Sequence, residues 1–248
     1  MRTRICAASL VVMVALAAGG AQAGEGGDIA LFNGRNFDGW TFYLEQKDYN
    51  ANGKGRIADF ASVQPGGIIE MHPKLHGALI TKRDYLNYRL HVEWRWVDPT
   101  VRNNTGLFLR VRPPFVWDMV HGEMAAFYQA QISPGQTGDL YVLGGYSETK
   151  LKTDPERSFE PFGTQKGNPL MGSLRRHLKI KDAEKPAGEW NSMDVTIAGK
   201  DISVYVNGEL VNEGTNLVDL PGRIGLESEF GPVQFRNVRL TTIDVPAG

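Results

Sequence analysis

Beyond residue 23 the chain runs in short stretches of alternating apolar and polar residues, separated by Gly, Pro and Asn, with few stretches of helical period. In 88–96, Tyr88, Leu90, Val92, Trp94 and Trp96 fall in one phase, and Arg89, His91, Glu93 and Arg95 in the other. Successive side chains of a strand point to opposite faces, so this run predicts a strand with one apolar and one charged face. Runs 194–197 and 202–206 repeat the pattern across the turn Ala198-Gly199-Lys200-Asp201, and Asn207-Gly208 signals a further hairpin. Ile224/Leu226 and Val233/Phe235 carry the alternation towards the C-terminus. Regular short strands predict an all-β fold of sandwich type. Segment 143–187 breaks the pattern with Gly, Pro, Asn and many charges. It reads as a long loop insertion at the rim of a sandwich, either a binding loop or a solvated one.

The same alternation sorts the candidate chemistry. With Leu107, Leu109 and Val111 inward on 105–111, Phe108 and Arg110 face the other way. With Tyr128, Ala130 and Ile132 inward, Gln129 and Gln131 face out, and with Ile224 and Leu226 inward, so do Glu227 and Glu229. Together with His91, Glu93 and Arg95, these residues would form a charged wall if their strands share one sheet. Guanidinium forks and carboxylates suit a polar ligand whose oxygens accept and donate hydrogen bonds. A plainer alternative is a cross-strand ion pair of Glu93 with Arg95 or Arg110, worth about 0–1 kcal/mol if exposed. Glu227 and Glu229 stand two apart, roughly 6.5–7 Å between Cα atoms on a strand. Close carboxyl groups discourage each other's ionisation, which suits general acid or base work near neutral pH. The pair also fits a glycosidase, although the run E-x-D-x-E of sandwich glycosidases is missing.

Among the aromatic residues, Trp40, Trp94, Trp96 and Trp190 read as core. Trp117, after Pro113-Pro114-Phe115, reads as a loop residue that could stack on a sugar ring. His177, beside Arg175 and Arg176, could enter a site from the rim. His72 and His76 flank Pro73, so their spacing is not helical and they make a poor metal pair; His121 reads as a loop residue.

Residues 1–23 read as an export leader: Arg2 and Arg4, an apolar run from Ile5 to Ala18, then Ala21-Gln22-Ala23 before a cleavage point. The expected location is periplasmic or secreted, and the expected mature chain is a single domain over 24–248. Cys6, the one cysteine, lies in the leader, so no disulfide is available to the mature chain. Setting Arg2 and Arg4 aside from the 27 lysines and arginines leaves 25 basic against 28 acidic residues, a formal charge of −3. That balance gives no reason to expect a nucleic-acid partner, and no second apolar stretch suggests a membrane span. The oligomeric state has no signature in the sequence.

Five segments in order, LFNGRNFDGW (31–40), NNTGLFLR (103–110), FYQAQISPGQTGDLY (127–141), EKPAGEWN (184–191) and GLESEFGPVQFRNVRL (225–240), resemble the bacterial 3-keto-disaccharide hydrolase or 3-keto-glucoside lyase/hydratase family. The resemblance implies a concanavalin A-like jelly-roll sandwich with a concave sugar-binding face. It also implies an oxidised sugar, a 3-keto-glycoside, as substrate. A C3 ketone acidifies the C2 proton, so a base can remove it and the aglycone can leave by elimination, followed by addition of water. On this basis Glu229 or Glu227 is the expected base. Arg110 with Arg95 is the expected electrophile, and Glu93, His91, Gln129, Gln131, Trp117 and His177 are the expected substrate contacts. No cofactor is certain, and a divalent metal could take the electrophile's role. The chain departs from the family pattern at Gln129, where many members carry Glu, and at Glu227, where many carry Gln. A non-catalytic carbohydrate-binding sandwich is the alternative reading.

Overall fold

A computed structural model describes residues 25–44, 56–72, 74–118, 123–146, 151–159 and 175–245. The expected leader and His121 lie outside the described residues. Among the described residues there are sixteen strands: β1 (Glu25–Ala30), β2 (Trp40–Leu44), β3 (Ala61–Gln64), β4 (Ile68–Met71), β5 (Gly77–Thr81), β6 (Tyr88–Trp96), β7 (Thr105–Asp118), β8 (Glu123–Ile132), β9 (Leu140–Leu143), β10 (Ser158–Phe159), β11 (Arg175–His177), β12 (Asn191–Ala198), β13 (Asp201–Val206), β14 (Glu209–Gly214), β15 (Arg223–Ser228) and β16 (Val233–Ile243). Within the same residues only two 3-10 turns, Ile57–Asp59 and Gly144–Tyr146, interrupt the β-structure.

The strands form two antiparallel sheets. The first runs β14-β13-β12-β6-β16-β4-β3, with β1 also paired to β16; the second runs β10-β11-β9-β8-β7-β15-β5-β2. The strand expected over 88–96 is β6, and its apolar phase is fully buried while Arg89 is exposed. The hairpins close where expected. Ala198 pairs with Asp201, and Asn207 and Gly208 take left-handed backbone at φ 51° and 81°. That conformation costs glycine little and asparagine less than most residues, and it matches the twist of a two-residue hairpin.

Between the sheets lie Tyr88, Leu90, Val92, Trp94 and Trp96 of β6, facing Leu107, Leu109, Tyr128, Ala130, Ile132, Ile224 and Leu226. Each large apolar side chain buried there contributes about 1.5–3 kcal/mol. Trp40 also joins this core, its indole N–H donating to the Leu31 carbonyl at 2.7 Å. Trp190 does not. It is half-buried outside the first sheet, with the guanidinium groups of Arg95 and Arg236 over its ring at 4.8 and 3.9 Å.

The second sheet is apolar on its outer face as well. Tyr43, Ala78, Ile80, Phe108, Val111, Ala125, Phe127, Tyr141 and Leu143 form a buried cluster there. Val111 belongs to this outer cluster and not to the core because the alternation of β7 changes phase at Arg110. There φ is 50° and the pairing with β8 and β15 shifts register. A bulge of this kind re-aims every side chain that follows it.

Two further expectations need correction. Of the segment 143–187 expected as a rim loop, residues 147–150 and 160–174 lie outside the described residues; in the described part β11 pairs with β9 and β10 with β11, extending the second sheet at one edge. Trp117 lies in β7, paired with Met124, and not in a loop.

Candidate functional site on the outer face of the second sheet

The expected charged wall is divided between two opposite surfaces. His91, Glu93 and Arg95 stand on the outer face of the first sheet, whereas Gln129, Gln131 and Glu227 stand on the outer face of the second. Alternation within a strand assigns a residue to a face; it does not say which of two stacked sheets owns the strand. On the first sheet most of the polar groups pair with one another, His91 Nε2 excepted among the described residues. Glu93 accepts from Arg236 Nε at 2.7 Å and from Asn237 Nδ2 at 2.5 Å, and His91 Nδ1 lies 2.7 Å from Asp194. Arg95 Nε donates to Gln234 at 2.7 Å, and Gln234 donates to Glu70 at 2.6 Å. The ion pair expected for Glu93 therefore exists, but with Arg236.

Arg110 is on neither outer face. The bulge turns it to the core side, where it is fully buried. Its guanidinium donates to Leu86 O at 3.2 and 2.9 Å, to Val218 O at 2.5 Å and to Gly199 O at 2.8 Å, and Asp219 lies 3.5 Å away. Three connections between strands hang on this one fork, so its role is structural. His177 is likewise buried, within β11, with Nδ1 at 3.8 Å from Glu156. It is a wall residue of the second sheet and not a rim visitor.

What remains is a continuous polar cluster. Gln129 Nε2 donates to Glu227 Oε2 at 2.9 Å and to Gln131 Oε1 at 2.6 Å. Gln131 Nε2 donates to Asn104 Oδ1 at 2.7 Å, and Asn104 Nδ2 donates to Glu229. Glu227, Gln129 and Gln131 are buried, whereas Asn104 and Glu229 are half-buried. The cluster thus runs from a closed end at Glu227 to an accessible end at Glu229. At that end Phe230 carries the His76 ring edge-on at 5.1 Å and the Arg102 guanidinium at 3.9 Å. Asn104, His76 and Arg102 are additions that the sequence alone does not announce. Asn104 sits in the segment 103–110, but its role depends on the pairing of Asn104 with Phe230 across the sheet.

Small residues make room for this cluster. The backbone carbonyl of Glu227 accepts from Thr105 Oγ1 at 2.6 Å. At Gly106 an added Cβ would stand 2.5 Å from Gln129 Nε2 and 2.8 Å from its Cγ. Gly106→Ala is therefore expected to push Gln129 off Glu227 and Gln131. Steady-state kinetics should show about a tenfold loss, with about 1 kcal/mol of stability lost to the broken buried hydrogen bonds.

Burial, and secondarily the charge of Glu229, holds the Glu227 carboxyl well above the ordinary carboxylate range. Burial raises the Tyr43 phenol too, with Glu227 as the second cause, and pushes Tyr141 up to about 12. Two nearby carboxyl groups retain one proton readily, and burial assigns it to Glu227. The site therefore offers a neutral acid beside a more accessible carboxyl group.

Among the described residues no three His, Cys, Asp or Glu side chains come together as ligands. Glu227 faces the N–H of Gln129, a donor where a metal would need an acceptor.

Residues 27–241 match the model of the 3-keto-alpha-glucoside-1,2-lyase-like domain. The chain belongs to this family. Membership and fold together tie the protein to carbohydrates. No curated protein matches the sequence significantly. Two crystal structures from Parabacteroides distasonis ATCC 8503, both described as candidate glycosyl hydrolases, resemble it. One is 17% identical, covers 88% of this chain and 94% of its own, and has a TM-score of 0.56. The other is 18% identical over 86% and 98%, with a TM-score of 0.52. The carbohydrate-binding module CBM66 from Bacillus subtilis is 12% identical over 81% and 94%, with a TM-score of 0.50. At these identities the likeness is one of fold, the jelly-roll sandwich. Gln129 and Glu227, the two positions expected from the sequence to depart from the family pattern, meet in space and share one hydrogen bond. Among the described residues no helix is long and apolar enough to cross a membrane.

Proposed function

We propose that the protein cleaves 3-keto-glycosides by removing the C2 proton and eliminating the aglycone. The observation that carries this reading is the buried Glu227 carboxyl, which shares one polar cluster with the more accessible Glu229. Glu229 takes the C2 proton, and the bonding pair moves into C2–C3 while the ketone becomes an enolate. As the C3 carbonyl re-forms, a C1–C2 double bond forms and the C1–O bond to the aglycone breaks. Glu229 returns its proton to the departing oxygen, so the products are an unsaturated keto-sugar and a neutral aglycone. Addition of water across C1–C2 then completes hydrolysis. The neutral Glu227 takes the electrophile's place expected of Arg110 and Arg95, donating a hydrogen bond where negative charge develops. Gln129 and Gln131 hold Glu227 in place and face sugar hydroxyls. Residues 1–23 would direct the protein out of the cytoplasm, where oxidised glycosides reach it.

Incubation with a 3-keto-glucoside and with the corresponding plain glucoside tests this. Aglycone release from the keto-sugar alone is expected. Cleavage of the plain glucoside would make the protein an ordinary glycosidase, and binding of sugar with cleavage of neither would make it a binding module.

A further inference from the structure

On β2, Tyr43 projects to the outer face of the second sheet and stacks on Phe108 at 6.4 Å. Its ring is buried, and among the described residues its hydroxyl has no hydrogen-bond partner. A buried hydroxyl left alone costs folding free energy, so such groups in folded proteins mark places that a ligand or water completes. The register says what the hydroxyl faces. Tyr43 pairs with Ala78, and Ala78 pairs on its other side with Glu227. Two long polar side chains thus flank one methyl group. Adjacent strands are about 4.8 Å apart, so the two backbones stand roughly 9.5 Å apart on either side of the buried Ala78. The two polar groups are near enough to interact, because the charge of Glu227 is the second cause, after burial, that raises the Tyr43 phenol.

Resting on the proposed function, we infer that the Tyr43 hydroxyl and the Glu227 carboxyl together receive the C3 oxygen of the keto-sugar, as a two-donor oxyanion site. The phenol O–H and the carboxyl O–H each donate one hydrogen bond to that oxygen. The oxygen gains negative charge when Glu229 removes the C2 proton and loses it when the aglycone leaves; neither donor gives up its proton. A phenol beside a neutral carboxylic acid is a chemically sound pair for this task, because both donate without carrying charge into an apolar surround. The apolar cluster around Phe108, Ile80 and Phe127 supplies that surround. This pair of donors therefore selects for a carbonyl oxygen at C3. A C3 hydroxyl there cannot draw on both donors as charge develops, since no enolate forms.

Tyr43→Phe keeps the ring and its stacking and removes only the orphan hydroxyl. On a 3-keto-glucoside its kcat is expected to fall about 100-fold, with KM within a few-fold of wild type. Its Tm should equal or exceed that of wild type, because no internal hydrogen bond is lost. Ala78→Val, which adds bulk between Tyr43 and Glu227, should raise KM about tenfold or more. Wild-type kcat in Tyr43→Phe would overturn the inference, and so would a Tm several degrees lower, which would mark the hydroxyl as a structural group. If the unmodified protein cleaves no keto-sugar, the functional reading falls and this inference with it. If the unmodified protein cleaves it and the Tyr43→Phe variant does so equally well, only the inference sinks.

Discussion

Replacing Arg110 with Met is expected to cost about 3–5 kcal/mol of stability. A fully buried guanidinium is expensive to desolvate, and here it is compensated by hydrogen bonds to the carbonyls of Leu86, Val218 and Gly199 and by Asp219 at 3.5 Å. Methionine fills much of the volume but leaves three carbonyls with no donor from this side chain. Each orphaned carbonyl costs about 1–3 kcal/mol, partly recovered where water can enter. For a domain of this size about 4 kcal/mol corresponds to roughly 8–16 °C in Tm. Lysine should rescue little, since one ammonium group cannot reproduce a fork that spans three carbonyls. Scanning calorimetry of Arg110→Met and Arg110→Lys checks this, and a Tm shift under about 3 °C for the methionine variant would refute the structural role. Any loss of turnover in these variants should follow the fraction unfolded.

Glu227→Gln is expected to lower kcat on a 3-keto-glucoside by about 10²–10⁴-fold, because an amide cannot supply the acidic O–H that meets the developing charge. Its effect on stability has the opposite sign. The folded-state pKa of Glu227 lies above the ordinary 4.5 of the unfolded chain, chiefly through burial. The folded state therefore binds more protons between those two values, and ΔG of unfolding declines as pH rises through that interval. Glutamine does not titrate and keeps an acceptor oxygen for Gln129. The Tm of Glu227→Gln minus that of wild type should therefore become more positive between pH 5 and pH 8. A difference that is flat with pH, or that moves the other way, would show that the buried carboxyl is not held protonated. Adding Gln129→Glu to this variant puts a carboxyl back across the same hydrogen bond, and part of the lost activity should return.

The architecture is legible in the sequence because alternation is a local property. The phases of 88–96, 127–132 and 224–228 follow from which residues must leave water, and the left-handed turn at Asn207-Gly208 follows from side-chain chemistry alone. The site is legible only in part. Gln129, Gln131, Glu227 and Glu229 do converge, but His91, Glu93 and Arg95 obey the same local rule on the opposite sheet. Which sheet receives β6 is decided by its pairing with β12 and β16, residues about 100 and 145 positions away, and no local pattern encodes that. Arg110 escapes the rule for a different reason. A single residue at φ 50° shifts the phase of β7, and nothing in the run LFLRV announces a bulge. Tyr43 carries no signal of its own, because an isolated tyrosine in an apolar strand reads as core. Only its orphan hydroxyl and its place beside Ala78 and Glu227 set it apart.

The two charged surfaces make opposite demands on one assay. Measure kcat/KM on a 3-keto-glucoside for the double variant Glu93→Gln/Arg95→Met and for Glu229→Gln, confirming by circular dichroism that both fold. The double variant should stay within about threefold of wild type, while Glu229→Gln should lose at least about 100-fold, as expected for removal of a general base. Full activity in Glu229→Gln together with collapse in the double variant would place the chemistry on the first sheet and contradict the assignment.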